Sequence, residues 1–294
     1  MIGEILSTLN ILEKASRFLS WVRKTRTTPA DTVGHRFIKL FESHNVHRNQ
    51  IPRFFGHGLT LKDVQDEAFL IQKLDETLLD AASNLFGVRR EWLEGAESQI
   101  YPCHDFYKHP EEVLPFLTGL RDANPNGDLN GVLLAPVEYR DDAVIILSEL
   151  IGNIGDKPIY RYHICNNWLF DYWKSRAYLT AFVAIAWKCN ICLRGRYLPL
   201  KEIQQLADGY SLLSVEDEGI FLRGRLWYPE DMAIEAEAFL LGIDPEKDNY
   251  GLTSALKLWL SLEEKGYMNT GLSMYTKEEI QSSFKHALEQ ELES

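Results

Sequence analysis

Apolar positions along this chain change period twice, and the changes divide it. From Met1 to Lys24, Ile2, Ile5, Leu6, Leu9, Leu12, Leu19 and Val22 recur at helical spacing, interrupted by Glu4 and Glu13, which predicts an amphipathic first helix over residues 1–30. Thr25 to Ala30 reads as a connector. Phe37, Leu40, Phe41 and His44 then follow the i, i+3, i+4, i+7 pattern of a second amphipathic helix. A short helix is expected from Asn49, a good N-cap, with Pro52 tolerated in its first turn. After a turn at Gly56 to Gly58, Thr60 can cap a further helix with Asp63 three residues on. Leu78, Leu79, Ala82, Leu85 and Phe86 mark another, stopped by Gly87, and Val88 to Gly95 closes the unit with Trp92 and Leu93 pointing inward.

Beyond residue 97 the period changes. Pro110 to Leu120 reads as a short helix inside a linker of residues 98–128, and Asp122 to Asp128 is loop-rich. Gly131 to Val137, Ala143 to Leu150 and Pro158 to Cys165 are short, partly β-branched runs, which predicts three neighbouring antiparallel strands. Helices are expected from about Trp168 to Leu193 and from Leu200 to about Leu213, and the segment from Pro229 onward reads as mainly helical. The expected organisation is α+β, mainly α: a helical unit at 31–97, an α+β unit at 129–228 with a small antiparallel sheet, and a helical region at 229–294.

Composition sharpens this picture. With 45% apolar residues and 12% aromatic, the chain carries enough hydrophobic surface for a packed core. Four cysteines are too few for a disulfide scaffold, and basic residues follow rather than precede the first apolar stretch, so a cytoplasmic location is expected. The longest near-continuous apolar run, Ala177 to Trp187, is too short for the ~20 residues of a membrane span. The formal net charge of −12 argues against a protein that coats nucleic acid, but the charge is uneven: Arg17 to Arg53 sums to +6 and Thr60 to Glu97 to −5. That asymmetry fits either an electrostatic footprint or two surfaces that pair with each other.

The helical unit resembles the helix-turn-helix domain of phage-repressor (XRE-type) regulators over about residues 35–95. The run Leu78-Leu79-Asp80-Ala81-Ala82-Ser83-Asn84-Leu85-Phe86-Gly87-Val88, then Trp92-Leu93-Glu94-Gly95, looks like that family's closing helix. The resemblance implies a positioning helix at Gln50 to Gly56 and a recognition helix at Leu59 to Glu67. It further implies a bacterial DNA-binding transcriptional regulator, a possible homodimer, with a ligand- or partner-binding region after it. Arg36, Lys39, Arg48, Gln50 and Arg53 would meet the phosphate backbone, and Lys62 and Gln65 would reach base edges. Two features depart from the pattern: Pro52 stands where a small residue is usual, and Asp63 and Asp66 put carboxylates in the reading helix, where phosphate repels them. A protein-interaction adaptor built on the same bundle is the alternative.

Other constellations bear on chemistry. His163 and Cys165 with Cys189 and Cys192 offer zinc-ligand types, and would make a zinc enzyme a third reading. They lack the Glu and Pro of the deaminase signature, and cysteines closing a hydrophobic helix commonly pack as small apolar residues. A redox pair at Cys189 and Cys192 would need a thioredoxin-like context that is missing. Cys103, His104, Asp105 and His109 would form a cysteine–histidine dyad only if the fold gathered them. Arg194 and Arg196, with Arg223 and Arg225 in a second Leu-Arg-Gly-Arg run, suit anion binding, though Arg194 and Gly195 also suit a helix end. Trp168, Phe170, Tyr172, Trp173 and Tyr178 would bind a flat ligand or build core. No Gly-rich phosphate loop, HExxH or GxSxG is present, and no cofactor is implied.

Overall fold

The computed structural model describes residues 32–137, 142–213, 223–243, 251–272 and 275–293. The helix expected over residues 1–30 lies outside them. The fold is α+β and mainly helical, with a central mixed sheet.

The N-terminal unit begins with α1 (Val33–Ser43), whose N-cap Thr32 accepts from the His35 amide. A 3₁₀ turn (Arg48–Gln50) runs into α2 (Ile51–Phe54), capped by His47 rather than by Asn49. The next helices are α3 (Leu61–Gln65), α4 (Glu67–Lys73), α5 (Glu76–Phe86) and α6 (Arg90–Glu94). Helix α4 has no counterpart in the sequence reading; Asp66 ends α3 in an extended conformation and caps α4 with its own side chain, so the chain turns without glycine or proline. Gly87 and Gly95 end α5 and α6 with φ of 67° and 91°, the left-handed geometry expected of helix C-caps.

Six strands form the sheet: β1 (Cys103–Asp105), β2 (Leu129–Pro136), β3 (Asp142–Ile154), β4 (Lys157–Leu169), β5 (Leu193–Leu198) and β6 (Arg225–Trp227). Their order is β1-β4-β3-β2-β5-β6. The antiparallel β2-β3-β4 core matches the expectation, with a tight turn at Gly155 and Asp156. Two parallel pairings, β1 with β4 and β2 with β5, come from segments that the sequence left as linker and helix end. Residues 98–128 thus supply an edge strand and the helix α7 (Pro110–Ala123).

Two further boundaries shift. Strand β4 continues through Trp168 to Leu169, so α8 spans only Trp173–Lys188, and Leu193 opens a strand instead of closing the helix. Helix α9 is shorter than expected, Leu200–Ala207. The C-terminal helices are α10 (Asp231–Ile234), α11 (Ala236–Leu240), α12 (Gly251–Glu264) and α13 (Lys277–Glu293).

Strand alternation sends side chains into two cores, one on each face of the sheet. Leu133, Ala135, Ile145, Leu147, Cys165 and Trp168 face α7, α8 and the C-terminal helices. Val132, Leu134, Val144, Ile146, Tyr162 and Ile164 face α9 and the N-terminal bundle, where Phe37, Phe41, Ile51 and Phe86 meet them. The bundle therefore shares its core with the sheet. Helix α8 is apolar on nearly every side because it lies between the sheet and α12. Its buried Arg176 donates to the Phe170 carbonyl at 2.8 Å and the Leu241 carbonyl at 3.0 Å, tying the strand end to α11.

Candidate functional site

The α2–α3 pair is joined by Phe55 to Thr60, in which Gly56, His57 and Gly58 all take positive φ. Such a turn folds the chain back sharply and leaves α3 on the outside, with Leu61, Lys62 and Gln65 exposed. Asp63 is buried, not outward-facing. It accepts from the Thr60 amide at 2.8 Å and hydroxyl at 2.7 Å, while the Thr60 oxygen receives the Asp63 amide. The hydrogen bonds from Thr60 hold its carboxyl below the usual carboxylate range. Asp66 accepts from the Ala68 amide at 2.8 Å. Both acids that argued against a nucleic-acid surface are engaged at helix N-termini.

The predicted contact residues divide sharply. Arg36 donates to the Trp92 carbonyl at 2.6 Å and lies over the Trp92 ring, closing α1 against α6. Arg48 pairs with Glu42 at 3.3 Å. Gln50 accepts from the His47 amide as part of a capping box, and Gln65 donates to Asn49. Lys39, Arg53 and Lys62 remain on the exposed surface, Lys62 with its ammonium 4.3 Å from the Phe69 ring centre. Sequence reasoning missed the apolar part of this surface: Leu61, Phe69 and Ile71 are 57%, 39% and 43% exposed. Two of these belong to α4, the helix that escaped detection.

The metal-like set does not converge. Cys165 and Cys189 are buried among apolar side chains, and burial raises both thiols. His163 donates to Glu149 at 2.8 Å. Among the described residues, three or more ligand atoms lie within 4.8 Å of one another only at exposed His109, Glu111 and Glu112. Nor do Cys103 and His104 form a dyad. They alternate on β1, so Cys103 joins the bundle-side core and His104 lies against Phe116 on the other face. Burial pushes the Cys103 thiol up to about 11, which keeps it protonated and poorly nucleophilic.

The first Leu-Arg-Gly-Arg run opens β5 instead of ending a helix, and in the second Arg223 and Gly224 form a bend that leads into β6 at Arg225. Arg196 stands opposite Leu226 and Arg225 opposite Tyr197, so Arg196 and Arg225 project to opposite faces. Arg194 shares the Arg196 face and is exposed; Arg223 pairs with Glu202 at 3.6 Å, and Arg225 lies over Tyr197. The four guanidinium groups do not line one anion site.

No family model, curated protein or solved structure matches this chain.

One polar centre was not anticipated. Glu149, almost fully buried on β3, accepts from His163 and from Asn124 at 3.0 Å, with the Arg161 guanidinium 3.5 Å away. Burial opposes its ionisation, but the His163 hydrogen bond and Arg161 prevail and hold its carboxyl below the usual range. Arg161 also donates to the Leu85 carbonyl of α5, so this centre joins the bundle to α7 across the sheet edge. Asn124 borders a polar cavity of about 420 Å³ with Arg121, Asp128, Asn130 and Asn190. A single charged residue within the mainly apolar run Ala143 to Leu150 was the available signal. Of the aromatic group, Trp168 and Phe170 are core, whereas Tyr172, Trp173 and Tyr178 are half-buried at the surface beside Tyr107. Among the described residues no helix is long and apolar enough to cross a membrane.

Proposed function

We propose that the protein is a DNA-contacting regulator, cytoplasmic and bacterial in type, in which α2 and α3 form a helix-turn-helix pair and Arg53, Lys62 and Lys39 meet DNA. The observation that carries this reading is the inward engagement of Asp63 with Thr60. It removes one carboxylate from the reading surface and leaves Lys62 and Gln65 as the outward polar residues of α3. Arg36, engaged by Trp92, supports the bundle instead of the phosphate backbone.

Contact by about three cations gives a shallow salt dependence, a log–log slope of roughly −3, since each phosphate contact contributes about −0.9. Anisotropy of a labelled random duplex, titrated with the full chain at several salt concentrations, measures it. Arg53→Glu with Lys62→Glu is expected to abolish retention at low salt while leaving the far-ultraviolet circular dichroism unchanged. Retention that survives both reversals overturns the assignment.

A second reading has its own observation. The exposed Leu61, Phe69 and Ile71 form an apolar surface on α3 and α4 that suits a protein partner, a second copy included. Absence of duplex binding at any salt, together with a complex lost on Leu61→Asp, supports this adaptor reading over the first.

A further inference from the structure

Strands β1, β2, β4 and β5 run in one direction, so their carboxyl ends lie along one edge of the sheet, where open α/β sheets commonly hold ligands. At the β1–β4 end of that edge, four aromatic side chains are contiguous. The Tyr107 and Tyr178 rings meet at 5.9 Å and 89°, Tyr107 is hydrogen-bonded to Tyr172, and Tyr172 meets Trp173 at 5.9 Å and 61°. Tyr107, Trp173 and Tyr178 pack on the core with part of each ring in solvent.

Trp173 and Tyr178 stand on the first turns of α8, and the loop that carries Tyr107 is fixed. Asp105 accepts from the Tyr107 amide at 2.9 Å and from the Asn167 side chain at 2.6 Å, clamping the β1 and β4 ends together. Lys108 and Asn167 hold φ of 70° and 69° there, a conformation unfavourable for side-chain-bearing residues and often kept where a loop must aim a group.

Two of the ring faces already carry an ammonium group. Lys108 lies 4.8 Å from the centre of Tyr107, and Lys174 5.0 Å from that of Trp173. Both are tethered from the adjacent residue, and each marks a ring face that accepts a cation. Asp105 lies near Tyr107 and Glu111 near Tyr178, close enough to push both phenols up beyond the effect of burial. Angled aromatic rings, nearby carboxylates and ring faces that accept ammonium are the chemistry of quaternary-ammonium recognition.

The geometry points to a binding site for a methylated ammonium group at Tyr107, Tyr172, Trp173 and Tyr178. The ligand competes with the Lys108 and Lys174 ammonium groups for these ring faces. This site is independent of the DNA reading and involves none of its residues.

Choline is the probe, with 3,3-dimethylbutan-1-ol, its uncharged isostere, as the comparison; binding to the full chain is followed by saturation-transfer NMR and tryptophan fluorescence. Choline is expected to bind roughly tenfold more tightly than the isostere. Trp173→Leu should weaken choline, and the double variant Lys108→Ala with Lys174→Ala, which frees the ring faces, should tighten it. Equal binding of the isostere makes the ledge merely apolar and overturns the proposal, as does the absence of binding by either compound. Weaker choline binding by the lysine double variant overturns it as well, and binding of a nucleoside monophosphate lost in that same variant points to a base-stacking surface instead.

Discussion

At the scale of single residues, burial decides which polar groups have been removed from surface chemistry. His44 sits within the bundle core, donating through Nδ1 to the Leu40 carbonyl at 2.8 Å, with Nε2 facing the Tyr101 hydroxyl at 3.5 Å. Burial pushes its imidazole from 6.5 down to about 4, against the hydrogen bond to Leu40. Its folded pKa is thus depressed, and the unfolded chain binds the extra proton between those values. The stability His44 contributes is fully present above about pH 6.5 and is lost as pH falls toward 4, with a slope approaching ~1.4 kcal/mol per pH unit. Urea denaturation at pH 7 and pH 5, compared between the wild type and His44→Gln, isolates this contribution. The wild type should lose about 2 kcal/mol more than the variant; parallel losses would refute the assignment. From sequence, His44 was readable as one apolar-face position of a helix, but its partner Tyr101 lies 57 residues away, beyond any local pattern.

At the scale of elements, the sequence reading succeeded wherever a local signal was complete. Thr60 with Asp63, Gly87 and Gly95 each mark a boundary by backbone chemistry that acts within a few residues, and the structure has those boundaries. It failed where pairing across the sheet decided the outcome. Leu193 to Leu198 look like the tail of a hydrophobic helix until β2 provides a parallel neighbour, and Gly195 explains why this strand needs a glycine. A Cβ there would lie 2.5 Å from the Trp227 ring, which stacks on Tyr197 at 5.3 Å. Gly195→Ala should therefore displace the Trp227 indole and destabilise the protein by about 2 kcal/mol, in the range of overpacked cores. The midpoint of chemical denaturation and the tryptophan emission maximum read both effects; an unchanged midpoint would show that the β5–β6 contact is loose. The candidate site follows the same division. Exposure of Lys62 was legible from the cap, whereas engagement of Arg36 by Trp92 depended on how α1 and α6 cross.

At the scale of the molecule, the bundle and the sheet are one packed body. Phe37, Phe41 and Phe86 belong to the same core as Val132, Leu134, Ile146 and Ile164, and Arg161 fastens β4 to the end of α5. Residues 32–97 expressed alone would leave that apolar surface in water. Such a fragment is expected to bind a hydrophobic dye and to melt without a cooperative transition, whereas the full chain melts cooperatively. A well-dispersed NMR spectrum from the fragment would instead establish an autonomous domain, and only then could DNA contact be measured on the bundle in isolation. The mixed pairing of the sheet was illegible from sequence for a related reason: β1 and β5 are short, and each becomes a strand only through a partner distant in the chain.

The shared core has a consequence for synthesis. The bundle ends at Glu94, but the strand that covers it, β4, is complete only at Leu169. At ~5–20 residues per second, the ribosome leaves the inner surface of α5 uncovered for about 4–15 seconds. During that interval Phe86 and its neighbours are open to any chaperone that recognises exposed aromatic side chains, and a substitution on the sheet face would be felt first as a defect in the nascent bundle.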